Sequence, residues 1–288
     1  MKATETKTSG FTLTELLVVI ATVAILAATL LPALAATKLR ELSAQCLGNL
    51  RQLTMAATVY QTENKSIPWG GNQLWPASLN TAQNTGADLL CPLASTPNPE
   101  PGRGTGNFQG TANQAWTWNV LSDPNNPASP TVVTNGSYGL NGWLYQWDGA
   151  LQLWALAGSW LPVGCGTNFF GSTAAVTHPS FTPMFVDALW PDMWPYAQGP
   201  DTLPTWWLYD ENYQAGNNTF SYKGMARCCL ERHGERPPLT GFVAIKHTVH
   251  PLPGGVNVSF VDGHASYTGL DNLWLLYWNR YAVPQPRQ

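Results

Sequence analysis

Residues 9–36 read SGFTLTELLVVIATVAILAATLLPALAA, and this stretch decides the architecture. Residues 1–10, MKATETKTSG, are polar. From Phe11 the chain turns apolar, and Leu16 to Ala36 is broken only by Thr22, Thr29 and Pro32. A run of about 21 such residues is long enough to cross a hydrocarbon core of roughly 30 Å as a helix. A conventional secretory signal would be cut at Ala33-Leu34-Ala35, but its apolar core spans only about 7 to 15 residues. Such a signal also has no use for the acid at Glu15, which stands in the first turns of the run, where a carboxylate needs a partner. The reading is a polar leader over 1–10 followed by a transmembrane helix over 11–36.

Beyond the apolar run, Leu39, Leu42, Cys46, Leu50, Leu53, Ala57 and Tyr60 recur at spacings of three and four. That spacing lays one apolar stripe along a helix, and the plainest use of the stripe is core packing. Residues 37–64 therefore read as an amphipathic continuation of the same helix, running from near Thr12 to near Asn64 and about 80 Å long at 1.5 Å per residue. Pro32 is expected to kink it. Lys2 and Lys7 before the span and Lys38 and Arg40 after it nearly balance, so charge alone does not orient the chain.

The remaining residues, 65–288, form the globular part. With 44% hydrophobic residues in 288, the chain can bury one core, or one core and a smaller lobe. Charged residues are 11%, the formal net charge is −3, and no run of Lys or Arg follows a phosphate backbone, so nucleic acid is not expected as a partner. The 26 Gly, 23 Pro and 14 Trp suit a loop-rich antiparallel domain better than a helical bundle or a doubly wound sheet. From Ser66 to Ser180 little can be placed beyond loops and short strands. Thr182 to Leu189, Gly241 to His247 and Val256 to Val261 read as strands. In the last, Val256, Val258 and Phe260 alternate with Asn257 and Ser259, one face buried and one wet. Asp262-Gly263 makes a hairpin turn into His264 to Tyr267. Asp271 is read as the N-cap of a helix that carries Leu273, Trp274, Tyr277 and Trp278 on one face. The fold class is α+β, a long N-terminal helix packed on an antiparallel sheet domain.

The run Ser9-Gly10-Phe11-Thr12-Leu13-Thr14-Glu15-Leu16-Leu17 resembles the prepilin cleavage and methylation motif of type IV pilin-like proteins and type II secretion pseudopilins. The resemblance implies a prepilin peptidase that cuts after Gly10 and methylates Phe11. It makes Glu15 the assembly carboxylate, paired with the new amino terminus of a neighbouring subunit. Thr14 departs mildly, since a larger aliphatic residue is usual there. The leader would lie in the cytoplasm, the helix in the bacterial inner membrane, and the bulk of the chain in the periplasm or on the cell surface, later in a filament with other pilin or pseudopilin subunits.

Further segments look like one large family of prepilin-like proteins. These are Cys46-Leu47-Gly48-Asn49-Leu50-Arg51-Gln52, Cys91-Pro92, Ser137-Tyr138-Gly139-Leu140-Asn141, Arg232-His233-Gly234, and Asn257 through Phe260 to Asp262-Gly263-His264. In that family a histidine precedes Asp-Gly at a shorter distance. Here 28 residues lie between His233 and Asp262 and 11 between His250 and Asp262, so either histidine can take the role. His233, Asp262, Gly263 and His264 are the structural motif this resemblance implies.

Cys46, Cys91, Cys165, Cys228 and Cys229 show no CxxC pair of the zinc type. Cys228 and Cys229 are adjacent and cannot readily bond to each other, so each is a disulfide candidate with a distant partner such as Cys165 or Cys91. His233, His247, His250, Asp262 and His264 lie close in sequence and could gather a metal, but turn chemistry explains Asp262-Gly263 and no H-E-x-x-H spacing is present. Neither metal nor cofactor is expected. No G-x-S-x-G, no GK[ST] and no dinucleotide fingerprint appears, and Gly102 to Gly106 is a loop, so the chain reads as non-enzymatic. The tryptophans, with Trp190, Trp194, Trp206 and Trp207 crowded together, pose the alternative of a membrane-tethered glycan- or surface-binding protein, set against ordinary aromatic packing.

Overall fold

A computed structural model of the chain describes residues 11–70, 74–80, 89–94, 96–97, 109–123, 126, 128–147, 165–195, 209–211, 224–229, 232–233, 242–244 and 254–284. Helix α1 spans Leu13–Asn64, within a residue of the expected limits, and holds Pro32 inside it. The chain divides into two compact units, Met1–Glu41 and Leu42–Gln288, so the division falls inside α1.

The start of α1 is set by Thr12 and Glu15. Thr12 N donates to Glu15 Oε2 at 2.8 Å and Thr12 Oγ1 donates to the same oxygen at 2.7 Å, while Glu15 N reaches back to Thr12 Oγ1 at 3.3 Å. This is a capping box, which satisfies backbone donors that no helical carbonyl can reach. From Phe11 to Leu34 the large apolar side chains of the first unit are exposed, among them Leu16, Val18, Ile20, Val23, Ile25 and Leu30. Length and composition make this segment capable of crossing a membrane. The helix ends where Lys65 takes a left-handed φ of 69°, the conformation that commonly closes a helix.

The expected stripe is buried from Cys46 onward, while Leu39 at its head is exposed and Leu42 half-buried. Cys46, Leu50, Leu53 and Ala57 join the main core, with Tyr60 partly buried against it. The principal sheet has five strands, in order β10-β9-β5-β4-β6. These are β4 (Tyr138–Asn141), β5 (Pro183–Asp187), β6 (Asp192–Met193), β9 (Gly255–Phe260) and β10 (Ala265–Gly269). A second sheet joins β1 (Thr96–Pro97), β2 (Gln114–Leu121) and β3 (Thr131–Gly136), and β7 (Tyr209–Glu211) pairs with β8 (Phe242–Ala244). The sheets are mixed rather than purely antiparallel, because β4 runs parallel to β6 and β1 parallel to β2. The α+β class holds; the wholly antiparallel sheet does not. The connection from β5 to β6 is only Ala188 to Pro191, and it carries the chain from β5 across the end of β4 to the far side of β4.

Strand β9 is buried on both faces, which corrects the expectation of one wet face. Val256, Val258 and Phe260 enter an apolar cluster with Val186, Leu270, Leu273 and Trp278. The other face is covered by polar residues of α1. Thr54 Oγ1 donates to Ser259 Oγ at 2.7 Å, and Asn257 Nδ2 to Ser43 Oγ at 3.4 Å. A polar alternation thus marks a hydrogen-bonded helix contact here instead of water. The β9–β10 hairpin forms as expected, but through a three-residue loop. Gly263 N donates to Phe260 O at 2.9 Å and Gly263 takes φ 96°, the left-handed position for which the Asp-Gly pair is suited. After β10 the chain makes a 3-10 helix over Leu270–Leu275 with Gly269 at its N-cap, so Asp271 lies in the first turn and is not the cap.

Among the described residues the tryptophans are largely core. Trp75, Trp116, Trp143 and Trp278 are fully buried, and Trp75 meets Phe185 edge-on with centroids 4.9 Å apart. Trp143 Nε1 donates to Pro195 O at 2.7 Å and Trp116 Nε1 to Tyr138 O at 3.1 Å, so each ring buries its area without stranding its N–H.

Candidate functional site

Four donor side chains converge in the second unit. Cys46 comes from α1, and Cys91 directly precedes the 3-10 turn Pro92–Ala94. Asp187 ends β5, and His233 follows the segment that carries Cys228 and Cys229. One ligand atom from each lies within 4.8 Å of all the others. Cys46 Sγ stands 3.3 Å from Asp187 Oδ1, Cys91 Sγ 3.3 Å from His233 Nε2, and His233 Nε2 3.2 Å from Asp187 Oδ2.

Local structure fixes each of them. Asp187 pairs with Tyr138 across the β4–β5 ladder and its Oδ2 accepts from Asn257 N at 3.2 Å. Asn49 Nδ2, one turn along α1 from Cys46, donates to Leu90 O at 3.1 Å, and Ser137 N donates to Leu89 O at 2.8 Å, which together hold Cys91. Cys229 N donates to Asp187 O at 2.9 Å, tying the approach to His233 onto the end of β5. Arg232 is fully enclosed. It donates to Thr111 O (2.9 Å), Ala112 O (3.2 Å) and Ser137 O (2.6 Å), and its guanidinium lies 3.6 Å from Asp187 Oδ1.

Burial alone would push the Asp187 carboxyl up, but the charges and hydrogen bonds of His233 and Arg232 hold it below the ordinary carboxylate value. Burial also opposes a charge on His233, and the facing Asp187 carboxylate outweighs it, raising the imidazole to about 9. The hydrogen bond from Cys46, with that from His233 and the nearby Arg232 charge, brings the Cys91 thiol down to about 6 against the effect of burial. Burial, then the contact with Cys91 and the Asp187 charge, push Cys46 well up.

A nucleophilic Cys-His-Asp triad would need the carboxylate on Nδ1 and the thiol on Nε2 of the same ring. Here Nε2 faces both Cys91 and Asp187, and Nδ1 has no hydrogen-bond partner among the described residues. Cys46, Cys91 and Asp187 are fully buried and the His233 side chain is 1% exposed, so neither sulfur is presented to solvent. The arrangement is a closed cluster of donors aimed at one point.

The other expected site residues fall elsewhere. Gly10 lies outside the described residues; Phe11 is exposed and Glu15 forms the capping box. Asp262 and His264 sit on the exposed hairpin, paired through Asp262 Oδ1 and His264 Nδ1 at 2.6 Å, with the imidazole stacked on Phe260 at 4.3 Å. His233 therefore does not join Asp262, Gly263 and His264, and His247 and His250 lie outside the described residues. The disulfides expected of Cys91 and Cys228 are not formed, since both are free thiols, Cys91 beside His233 and Cys228 in apolar core. Cys229 Sγ points to Thr111 O at 3.9 Å, and the side chain of Cys165 is outside those described. Trp194 packs edge-on against Trp143 and Trp190 against Trp118, while Trp206 and Trp207 are outside the described residues.

Sequence reading missed Cys46 and Asp187 as members of a site. Cys46 fits the apolar stripe of α1 and Asp187 the end of a strand, and the one available signal was a cysteine and an acid both destined for burial. Compared with family models, curated proteins and solved structures, the chain finds no match.

Proposed function

We propose that this chain is a non-enzymatic subunit of a type IV pilus-like or type II secretion filament, anchored in the inner membrane by α1 before assembly. The observation that carries this reading is α1 itself. One helix presents a long, predominantly apolar surface with a single carboxylate near its start in its first half, and contributes Cys46, Leu50, Leu53 and Ala57 to the core of the globular unit in its second. A secretory signal would not continue into a folded core, as the second half of α1 does. Prepilin peptidase, other pilin or pseudopilin subunits and the inner membrane are the partners this reading requires.

Mass spectrometry of the chain recovered from cell membranes and from sheared surface material tests it. The expected mature N-terminus is Phe11 carrying one added methyl group. A chain that begins at Met1, or after Ala35, overturns the proposal.

A further inference from the structure

The four converging donors are better suited to an ion than to one another. A zinc ion bound at about 2.0–2.3 Å by sulfur, nitrogen and oxygen in a tetrahedron places its ligand atoms roughly 3.3–3.8 Å apart. Taking Oδ2 as the Asp187 ligand atom, the contacts in the cluster, 3.6 Å for Cys46 Sγ to Asp187 Oδ2, 3.3 Å for Cys91 Sγ to His233 Nε2 and 3.2 Å for His233 Nε2 to Asp187 Oδ2, are close to three edges of such a tetrahedron. We propose that Cys46 Sγ, Cys91 Sγ, the Asp187 carboxylate and His233 Nε2 bind one zinc ion in a closed, structural site.

Ligand type agrees with the geometry, since two sulfurs with an imidazole and a carboxylate suit zinc better than the oxygen-loving magnesium or calcium. Charge agrees as well. Two thiolates and a carboxylate around a divalent ion leave one negative charge, and Arg232, enclosed and 3.6 Å from Asp187, offsets it. On binding, the ion displaces the proton that Cys46 donates to Asp187 and the proton that Cys91 Sγ and His233 Nε2 share, and both pass to solvent. All four side chains are shut off from water, as in a site whose task is cohesion and not catalysis. Its four ligands come from α1, the segment before Pro92, the end of β5 and the segment after Cys229, which are far apart in sequence. One ion would therefore cross-link the helix to the sheet and to two loop-borne segments, whatever assembly the chain enters. The rival chemistry for the same atoms is a Cys46–Cys91 disulfide, which would leave Asp187 and His233 without a metal to share.

The test uses the full chain purified in detergent, with elemental analysis and thiol alkylation followed by peptide mass spectrometry. About one zinc per chain, with Cys46 and Cys91 recovered as thiols after denaturation, is the expected result. Metal is then removed with a chelator and Co²⁺ is added. The wild type should develop a thiolate-to-cobalt charge-transfer band with the d–d bands of a tetrahedral site, a readout that depends on no variant folding. Cys91→Ser should lose the charge-transfer intensity in part, and Asp262→Asn with His264→Gln should leave the spectrum unchanged. A Cys46–Cys91 disulfide in the purified chain, a wild type that takes up no cobalt, or a spectrum abolished by the hairpin variant each overturns the proposal.

Discussion

Replacing Glu15 by Gln separates two roles that one carboxylate can hold. In the single chain Glu15 closes a capping box with Thr12, at 2.8 Å from its backbone nitrogen and 2.7 Å from its hydroxyl. The amide oxygen of Gln accepts the same two bonds, and glutamine serves at this position of the motif as well as glutamate. The only loss to the helix is a negative charge at its positive end, a small effect at this exposed position that salt screens. In a filament the demand is different, because the carboxylate would face the amino terminus of Phe11 of a neighbour in apolar surroundings. Removing one partner of a buried ion pair costs about 3–5 kcal/mol. At about 1.4 kcal/mol per tenfold, that lowers subunit association by roughly two to three and a half orders of magnitude. Cells carrying Glu15→Gln as the sole copy are sheared, and the surface fraction is compared with wild type by immunoblot. N-terminal mass confirms that leader removal is intact. Processed protein retained in the membrane, with surface material nearly gone, is expected. Surface material at the wild-type level would show that Glu15 is a capping residue and nothing more, and the reasoning would fail.

Three further outcomes follow from packing and charge. A Cβ on Gly142 would run into the Trp194 ring, so Gly142→Ala is expected to destabilise the globular unit by about 1–3 kcal/mol in denaturant unfolding, and a neutral result would refute the packing. Thr54→Val removes the 2.7 Å bond that joins α1 to Ser259 of β9 and should cost about 1 kcal/mol in the same assay. Burial tends to raise the Asp262 carboxyl, but hydrogen bonds from His264 and Ser180 hold it below its ordinary value of 3.8. A depressed carboxylate stabilises the fold above its unfolded pKa and loses that contribution as pH falls through the folded one. The Tm gap between wild type and Asp262→Asn should therefore be present at neutral pH and close below about pH 4.

What sequence reading could and could not reach divides along sequence distance. α1 was legible almost to the residue because its information is local, an apolar run and then a stripe at helical spacing; the capping box of Thr12 and Glu15 that sets its start was read only from the structure. The β9–β10 hairpin was legible for the same reason, as Asp262-Gly263 declares a turn within a few residues of the strands it joins. Strand β2, Gln114–Leu121, was passed over although Trp116 and Trp118 alternate along it, because the Gly, Pro and Asn around it drown a short periodic signal.

The donor cluster depends on contacts that no window of sequence contains, since 141 residues separate Cys46 from Asp187 and 142 separate Cys91 from His233. Each member had a sufficient local explanation, and His233 was drawn instead towards Asp262 by proximity in the chain. The polar face of β9 failed in the same manner. Asn257 and Ser259 alternate as a solvated face would, and only the arrival of Ser43 and Thr54 from α1 reveals that they are buried. Both misreadings have α1 as their cause. The helix that was easiest to find carries polar groups and a cysteine into the sheet, so its second half binds the globular unit by hydrogen bonds and by the Cys46 cluster in addition to its apolar stripe. Under the filament function proposed above, a subunit pulled through its N-terminal helix needs the junction between helix and domain to be the last part to yield. Directed polar contacts at Ser43, Cys46, Asn49 and Thr54, spread over three turns, resist sliding of the helix in a way that an apolar stripe alone does not.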